Sequence, residues 1–140
     1  MITIGRREYV LLTELSQIPI EAKVDTGAFR SAVHCLDCQE IDTPDGRVLR
    51  AHFCFDGATT LVHDFSTYHQ RVVRSSFGES ELRYCVPLTI RIGGKKIKSQ
   101  VTLTDRSDMR YHILLGRKTL YKKYAVDVSR IHVKKYKAHQ

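Results

Sequence analysis

The stretch "AKVDTGAFRSAVHC", residues 22–35, carries the strongest structural signal in this chain. Apolar and polar residues alternate over 18–26, which is typical of a half-buried β-strand. The strand leads into Asp25, Thr26 and Gly27, and a glycine at that point allows a sharp turn. An Asp in this position either caps the turn or performs chemistry.

Most of the remaining sequence also favours strands. Short runs rich in Val, Ile, Thr and Tyr alternate with turn signals such as "TPDGR" (43–47), which is typical of an all-β protein. The sequence predicts strands at 7–12, 18–26, 31–36 and 48–55, a long hairpin over 69–92 with its tip near Gly78, a second hairpin over 88–104 turning at Gly93 and Gly94, a short apolar run at 112–117 and one or two helical turns within 117–124.

Length and composition predict a single domain covering residues 1–140. The chain has 140 residues, of which 42% are hydrophobic, enough for one compact core. No apolar run approaches the roughly 20 residues that cross a bilayer, and no signal peptide is recognisable, so we expect a cytoplasmic protein without membrane contact. Outside a secretory setting, Cys35, Cys38, Cys54 and Cys85 are expected to be reduced thiols.

The charge balance favours an acidic partner. The chain carries 23 Lys and Arg against 15 Asp and Glu, a formal charge of +8. The basic residues cluster at 93–98, 116–123 and 132–137, and a solvated surface is the favoured interpretation of these clusters. No nucleic-acid-binding motif accompanies them, so nucleic acid is not the expected partner. "IGGKKI" lacks the GxxxxGK[ST] spacing of a phosphate loop.

The order of the motifs resembles the retropepsin-type aspartic proteases. "VDTGA" (24–28) is similar to the segment that supplies one catalytic carboxylate in that family, "HILLGR" (112–117) to the apolar segment that packs beside it, and "RSSFGESELR" (74–83) to the flap hairpin. The resemblance implies a closed acid-protease barrel with a flap and one short C-terminal helix. It assigns catalysis to Asp25, Thr26 and Gly27 and substrate contact to Ala28, Ser76, Phe77, Gly78, Leu115, Gly116 and Arg117.

A closer resemblance covers almost the whole chain. The blocks "IGRREYVLLTEL", "IEAKVDTGAFRSAVH", "SELRYCVPLTIRIGGKKIKSQVTLTDRSDMRYHILLGRKTL" and "YAVDVS" resemble a bacterial retropepsin-like family labelled ATP-dependent zinc protease. That family is associated with ATP-grasp ligases that add glutamate to protein tails. The sequence contains neither a Walker loop nor an HExxH helix, so the words ATP and zinc in that label have no motif behind them here.

The implied chemistry needs two carboxylates. Two carboxyl groups held within about 3 Å share one proton, so that one activates a water while the other polarises the scissile carbonyl. The chain contains a single Asp-Thr-Gly. The resemblance therefore implies a two-fold homodimer with Asp25 of each subunit at the axis. The resemblance also implies a peptide or protein substrate, and the basic surface suggests an acidic one.

Two features depart from the retroviral pattern. Retroviral members carry a second Asp four residues after the catalytic one, and the Arg after the late Gly pairs with it. Here Phe29 occupies that position, which leaves Asp37 or Asp127 as conceivable partners for Arg117. An insertion that includes residues 55–65 precedes the expected flap.

Other residues suggest further sites. Cys35, Cys38, His52 and Cys54 could form a tetrahedral zinc site, but the spacing is not that of standard zinc knuckles, and small, partly buried reduced cysteines are the favoured interpretation. "TDRSDMR" (104–110) could supply a catalytic pair of carboxylates, but a turn network is the favoured interpretation.

Two functions remain as alternatives to proteolysis. One is a non-catalytic module that binds an acidic peptide or nucleic acid, and the other is a zinc-dependent hydrolase. No cofactor is expected for the aspartic mechanism, and zinc is needed only for the last alternative.

Overall fold

The computed structural model describes residues 1–74 and 77–135, and nearly all of their regular structure is β. Within these ranges the elements are β1 (Ile2–Gly5), β2 (Arg7–Leu12), β3 (Ile20–Val24), β4 (Ser31–His34), β5 (Asp37–Thr43), β6 (Gly46–Phe53), β7 (Leu61–Phe65), β8 (His69–Arg74), β9 (Ser80–Ile92), β10 (Lys95–Thr104), β11 (Ile113–Leu115), α1 (Arg117–Leu120) and β12 (Tyr124–Asp127). The all-β class with one short late helix is confirmed, whereas barrel closure and the single-domain boundary stay predictions. The one helix found in these ranges is far too short to cross a bilayer.

In the main sheet, β11 lies between two strands that come much earlier in the sequence, and this placement positions the Asp25 loop. The strand order of this sheet is β10-β4-β11-β3-β2-β9-β8, and β9 also pairs with β10, so the sheet turns back on itself. Strand β11 lies between β3 and β4, parallel to the first and antiparallel to the second. Since β3 and β11 run in the same direction, the residues that follow both strands emerge at the same edge.

Two hairpins confirm the predicted turns. Strands β8 and β9 pair antiparallel, and the turn between them includes Gly78 at φ +84°. Strands β9 and β10 pair from Lys95 opposite Ile92, and Gly93 turns the chain at φ +61°. A positive φ is a conformation that glycine adopts at little cost, which explains both glycines.

The insertion before the first hairpin forms a sheet of its own. Strands β5, β6 and β7 lie in that order, and β7 arises from the segment 55–65. Phe53 of β6 and Phe65 of β7 are buried in the main hydrophobic core. Neither β5 nor β7 was expected from the sequence, because β5 carries mostly polar residues and β7 is only five residues long.

The segment after β12 is tied to the first strands by one buried carboxylate. Strand β1 pairs parallel with β12. Glu8 in β2 is fully buried and accepts hydrogen bonds from the backbone N–H groups of Gly5 (2.7 Å), Val133 (2.9 Å) and Lys134 (2.8 Å). Charged acceptors make strong hydrogen bonds, so Glu8 holds residues 133–134 against the sheet.

Candidate active site

Asp25 is the first residue after β3 and is fixed through its backbone and its side chain. Its N–H donates to the Leu115 carbonyl at 2.9 Å, and its own carbonyl accepts from Ala28 N–H at 3.2 Å. The Oδ1 atom of Asp25 accepts the Gly27 N–H at 3.0 Å. Among the residues described, none donates to Oδ2, which leaves that oxygen for a water or a substrate.

The end of β11 packs directly on the Asp25 loop. A Cβ atom built on Gly116 would lie 2.5 Å from the Arg30 carbonyl, so only glycine fits there. The next two residues complete the contact, because the N–H of Arg117 donates to Ala28 O (2.9 Å) and that of Lys118 to Phe29 O (2.8 Å). Residues 115–117 therefore lie beside the Asp-Thr-Gly turn, as the resemblance implies.

Three buried hydroxyl groups, linked by hydrogen bonds, hold the Gly116 segment against the residues that follow the Asp-Thr-Gly turn. Ser31 Oγ accepts the Gly116 N–H at 3.0 Å and lies 2.6 Å from Thr119 Oγ1. Thr119 Oγ1 in turn lies 2.8 Å from Ser99 Oγ. All three side chains are buried, and each hydroxyl has a hydrogen-bonding partner.

Arg117 contacts the Asp25 loop itself. Its Nη1 donates to the Thr26 carbonyl at 2.9 Å, and its guanidinium lies 5.8 Å from the centre of the Phe29 ring. Arg30 and Lys118 also lie over that ring, at 5.3 and 6.0 Å. The aromatic face thus replaces the carboxylate that retroviral members place here.

Both acidic partners suggested for Arg117 are wrong. Asp37 lies on the β5–β6 sheet and pairs with His52 Nδ1 at 2.7 Å. Asp127 closes its own turn by accepting from the N–H and Oγ of Ser129. The separate sheet formed by the insertion explains why Asp37 is occupied elsewhere.

The β8–β9 hairpin lies across a groove from Asp25. Phe77 is 93% exposed beside the turn at Gly78. Ser76, which the resemblance assigns to the flap, lies outside the described residues. This groove is lined from the loop side by Asp25, Gly27, Ala28, Phe29 and Arg30, and from the hairpin side by Val72, Val73, Arg74 and Arg83.

Arg106 is a buried cation beside Asp25 that the sequence did not reveal. It lines the groove under the hairpin and a second groove, and Asp25 lines both. The Nε of Arg106 donates to the Tyr111 carbonyl at 2.9 Å. Burial is the largest cause that lowers the pKa of Arg106, nearby Arg83 lowers it further, and the charge of Asp25 acts in the opposite direction.

The side chain of His34 positions Arg106 through a hydrogen bond to its backbone. Its Nδ1 accepts the backbone N–H of Arg106 at 2.8 Å, so this nitrogen carries no proton. Burial, followed by the neighbouring His112, lowers the pKa of His34, and Asp105 only partly offsets them. His34 is therefore a neutral acceptor at pH 7, and the 3.7 Å approach of Asp105 is not an ion pair.

Within the segment 104–110, Asp105 takes part in a turn network. Asp105 Oδ1 accepts from the N–H of Ser107 at 2.8 Å and from its Oγ. This agrees with the favoured interpretation of "TDRSDMR". What the sequence missed is that Arg106, in the same turn, points inward.

The second groove beside Asp25 is strongly basic. Asp25 is the acidic residue of its lining, and the same groove is lined by five cationic residues: Arg6, Arg7, Lys23, Arg106 and Arg110. Such a groove attracts anionic ligands over distances of about 8–10 Å at physiological salt.

The four suggested zinc ligands do not come together. Cys35 Sγ and Cys38 Sγ lie 3.8 Å apart, but Cys38 is opposite Ala51 in the β5–β6 register, whereas His52 is opposite Asp37. Adjacent residues of a strand face opposite sides. Over residues 1–74 and 77–135, no group of three or more His, Cys, Asp or Glu side chains could hold a metal ion.

Comparison with known proteins gives relatives of two kinds. The chain is 31% identical over 130 residues to a "Probable alpha-L-glutamate ligase" of Shewanella pealeana and 30% identical to one of Shewanella halifaxensis. Each match covers 90% of this chain, and the chain spans 28% of the length of these relatives. A crystal structure of a Legionella pneumophila protein of unknown function shares the fold, with a TM-score of 0.75, 24% identity and coverage of 96% and 98% of the two chains.

The family comparison agrees with the motifs and with the fold. Residues 3–137 match the model of a family described as RimB-like, retropepsin-like aspartic endopeptidase RimB. The match includes the Asp-Thr-Gly turn, the hairpins and the late apolar segment. The chain therefore belongs to the RimB-like family of retropepsin-like aspartic endopeptidases.

Proposed function

We propose that this chain is an aspartic-type endopeptidase that acts as a homodimer, with one Asp25 from each subunit in the catalytic pair. The observation that carries the proposal is the Asp25 carboxylate. Its Oδ1 accepts the Gly27 N–H, the backbone N–H of Asp25 donates to the Leu115 carbonyl, and Oδ2 is left for a reactant at the junction of two grooves. A single Asp-Thr-Gly per chain requires the second carboxylate to come from another subunit.

The mechanism follows from the coupling of the two carboxylates. At close range only one ionises, and the pair titrates as a unit. The ionised group takes a proton from the attacking water, and the protonated one donates to the scissile carbonyl. Thr26, which is exposed on the same turn, braces the paired loops through its hydroxyl, and the small Gly27 and Ala28 allow the peptide backbone to approach. No cofactor takes part.

The substrate in this proposal is an extended acidic peptide, such as a glutamate-rich tail. Five cationic side chains line the groove beside Asp25, and Arg30, Arg74 and Arg83 line the other groove. The relatives named as glutamate ligases support the choice of glutamate. The hairpin β8–β9 covers the peptide and excludes water. All four cysteines are free, which suits a cytoplasmic setting.

The test compares the wild type with Asp25→Asn. Asparagine keeps the size of the side chain but cannot share the proton, so we expect cleavage of a glutamate-rich peptide to fall by at least about 10³-fold. Sedimentation over a range of protein concentrations measures the dimer in parallel, because a weak dimer dissociates when dilute. Unchanged cleavage by Asp25→Asn, or a monomer at every concentration, would overturn the proposal.

A binding module is the second candidate, and the basic grooves favour it. In that case the same cations hold an acidic tail without cutting it. Asp25→Asn separates the two functions, since removal of a negative charge should leave binding intact or strengthen it. Tight binding by a wild type that cleaves no glutamate-rich, glutamine-rich or mixed peptide would favour the module.

A further inference from the structure

A pair of cysteines lies at the corner between the main sheet and the inserted sheet, away from the proposed chemistry. Cys35 follows β4 directly, and Cys38 is the second residue of β5. Their sulfur atoms are 3.8 Å apart, and both thiols are free. No other pair of cysteines in the described part of the chain has its sulfur atoms in contact.

From this geometry we propose that Cys35 and Cys38 form a reversible dithiol–disulfide site that low-molecular-weight disulfides, such as glutathione disulfide, oxidise. The site is independent of the aspartic mechanism. It is also distinct from a zinc site, because the required third and fourth ligands are absent from the residues that the structure describes.

The surroundings allow the two sulfur atoms to meet. A disulfide bond is about 2.05 Å long, so the sulfur atoms must move together from van der Waals contact. Cys38 lies on β5, an edge strand of the three-stranded sheet, where only one side is held by a neighbouring strand. The Asp37 carbonyl (3.2 Å), the His52 carbonyl (3.5 Å) and Cys38 Sγ (3.8 Å) are alternative acceptors for the single S–H proton of Cys35, which turns to Cys38 when that sulfur is a thiolate.

Burial and hydrogen bonding assign different roles to the two thiols. Cys38 is partly exposed, whereas Cys35 is only 2% exposed. The hydrogen bond from Cys35 lowers the pKa of the Cys38 thiol, and the same bond, together with burial, raises the pKa of Cys35. Cys38 is therefore the attacking thiolate, and Cys35 is the resolving thiol.

The reaction balances in two exchange steps. The Cys38 thiolate attacks one sulfur of glutathione disulfide, forms a mixed disulfide and releases one glutathione thiolate. Cys38 Sγ is then no longer a thiolate, so the strong hydrogen bond that it accepted from Cys35, which is the largest cause that raises the pKa of Cys35, is lost, and burial is the main cause that remains. Cys35 loses its proton to solvent and attacks Cys38 Sγ, which releases the second glutathione. The protein loses two electrons and two protons, and glutathione disulfide gains them.

Trypsin places the Cys35–Cys38 pair in one peptide, apart from the other two cysteines, so the site can be tested on the wild-type chain. Cleavage after Lys and Arg places Cys35 and Cys38 in peptide 31–47, Cys54 in peptide 51–71 and Cys85 in peptide 84–91. The native protein is equilibrated in glutathione buffers of increasing oxidised fraction, quenched with acid, alkylated and digested. We expect peptide 31–47 to lose two hydrogen atoms in mass and to resist alkylation, before Cys54 and Cys85 react.

Variants then assign the roles of the two thiols. In Cys35→Ser the mixed disulfide cannot be resolved, so Cys38 should accumulate one glutathione. In Cys38→Ser the buried Cys35 should stay reduced, and Cys54→Ser is the matched control that should behave as the wild type. The wild-type measurement stands even if a variant fails to fold.

Three outcomes would overturn the proposal. The first is oxidation of Cys54 or Cys85 ahead of peptide 31–47. The second is a folded Cys35→Ser variant without a glutathione adduct on Cys38. The third is one equivalent of zinc in the purified wild type that is lost in Cys38→Ser, which would make the pair part of a metal site.

Discussion

Gly116 touches Arg30 so closely that an added Cβ atom would lie 2.5 Å from both the carbonyl carbon and the carbonyl oxygen of Arg30. Backbone atoms cannot rotate away as a side chain can. We therefore expect Gly116→Ala to lower the free energy of unfolding by about 3 kcal/mol, near the upper end for overpacked sites.

Urea unfolding measures this effect, and Gly94→Ala is its control. A Cβ on Gly94 meets nothing within 4 Å, so we expect a change of about 0.5 kcal/mol or less. Equal effects of the two substitutions would show that the crossing of β11 over residues 29–30 is looser than the structure indicates.

Glu8 gives a second prediction, on the attachment of residues 133–134. Glutamine keeps one acceptor oxygen but replaces the other with an amide that donates, so at least one backbone N–H loses its acceptor. We expect Glu8→Gln to cost about 1–3 kcal/mol of stability. Hydrogen exchange should show faster exchange at Val133 and Lys134. Glu79→Gln, at an exposed position, should leave both measurements unchanged.

His34 gives a prediction on pH. Its pKa is lowered in the folded state by burial, so between the unfolded value near 6.5 and the lower folded value the unfolded chain binds more protons. The contribution of neutral His34 is complete above pH 6.5 and is lost as the pH falls through this window. We expect His34→Asn, whose amide oxygen can still accept from Arg106, to lose less stability between pH 7.5 and pH 5 than the wild type does.

Urea unfolding at several pH values in this range measures the His34 effect. The matched control is His69→Asn, at an exposed position. A His34→Asn variant whose stability falls as steeply as that of the wild type would contradict the assignment.

A substitution at Arg110 tests whether the basic groove recognises acidic substrates by charge. Arg110 is exposed, lines the basic groove and lies 5.4 Å from the centre of the Tyr111 ring. We expect Arg110→Gln to raise KM for a glutamate-rich peptide by about 2–5-fold with little change in kcat, as for the loss of one exposed charge pair. Higher salt should reduce the difference. An equal rise in KM for a glutamine-rich peptide would contradict charge recognition. The same rise in KM from Lys96→Gln, in the β9–β10 hairpin, would also contradict it.

The strands that frame Asp25 were predictable because their signals are local. Alternation over 18–26, the glycines at 78 and 93, and the apolar run ending at Gly116 each depend on neighbouring residues. Strands β1 and β12 were missed because each is four residues long and, within the described part of the chain, pairs only with the other, at the opposite end of the sequence.

Arg106 and the role of His34 could not be predicted for a similar reason. The two residues meet because β10 pairs parallel with β4, with Thr104 opposite His34. That register follows from tertiary packing and not from any local pattern. An arginine in a turn of mixed charge is expected to be exposed, and only the fold shows that Arg106 is buried beside Asp25.

The placement of β11 between β3 and β4 also fixes when the reactive turn can form during synthesis. Residues 20–34 leave the ribosome long before residues 113–118, yet the N–H of Asp25 and the carbonyls of Ala28 and Phe29 bond only to that later segment. Contacts between distant parts of a chain form late in folding. A nascent or truncated chain that ends before residue 113 thus carries the Asp-Thr-Gly sequence without the hydrogen-bonding partners that hold the backbone of this turn.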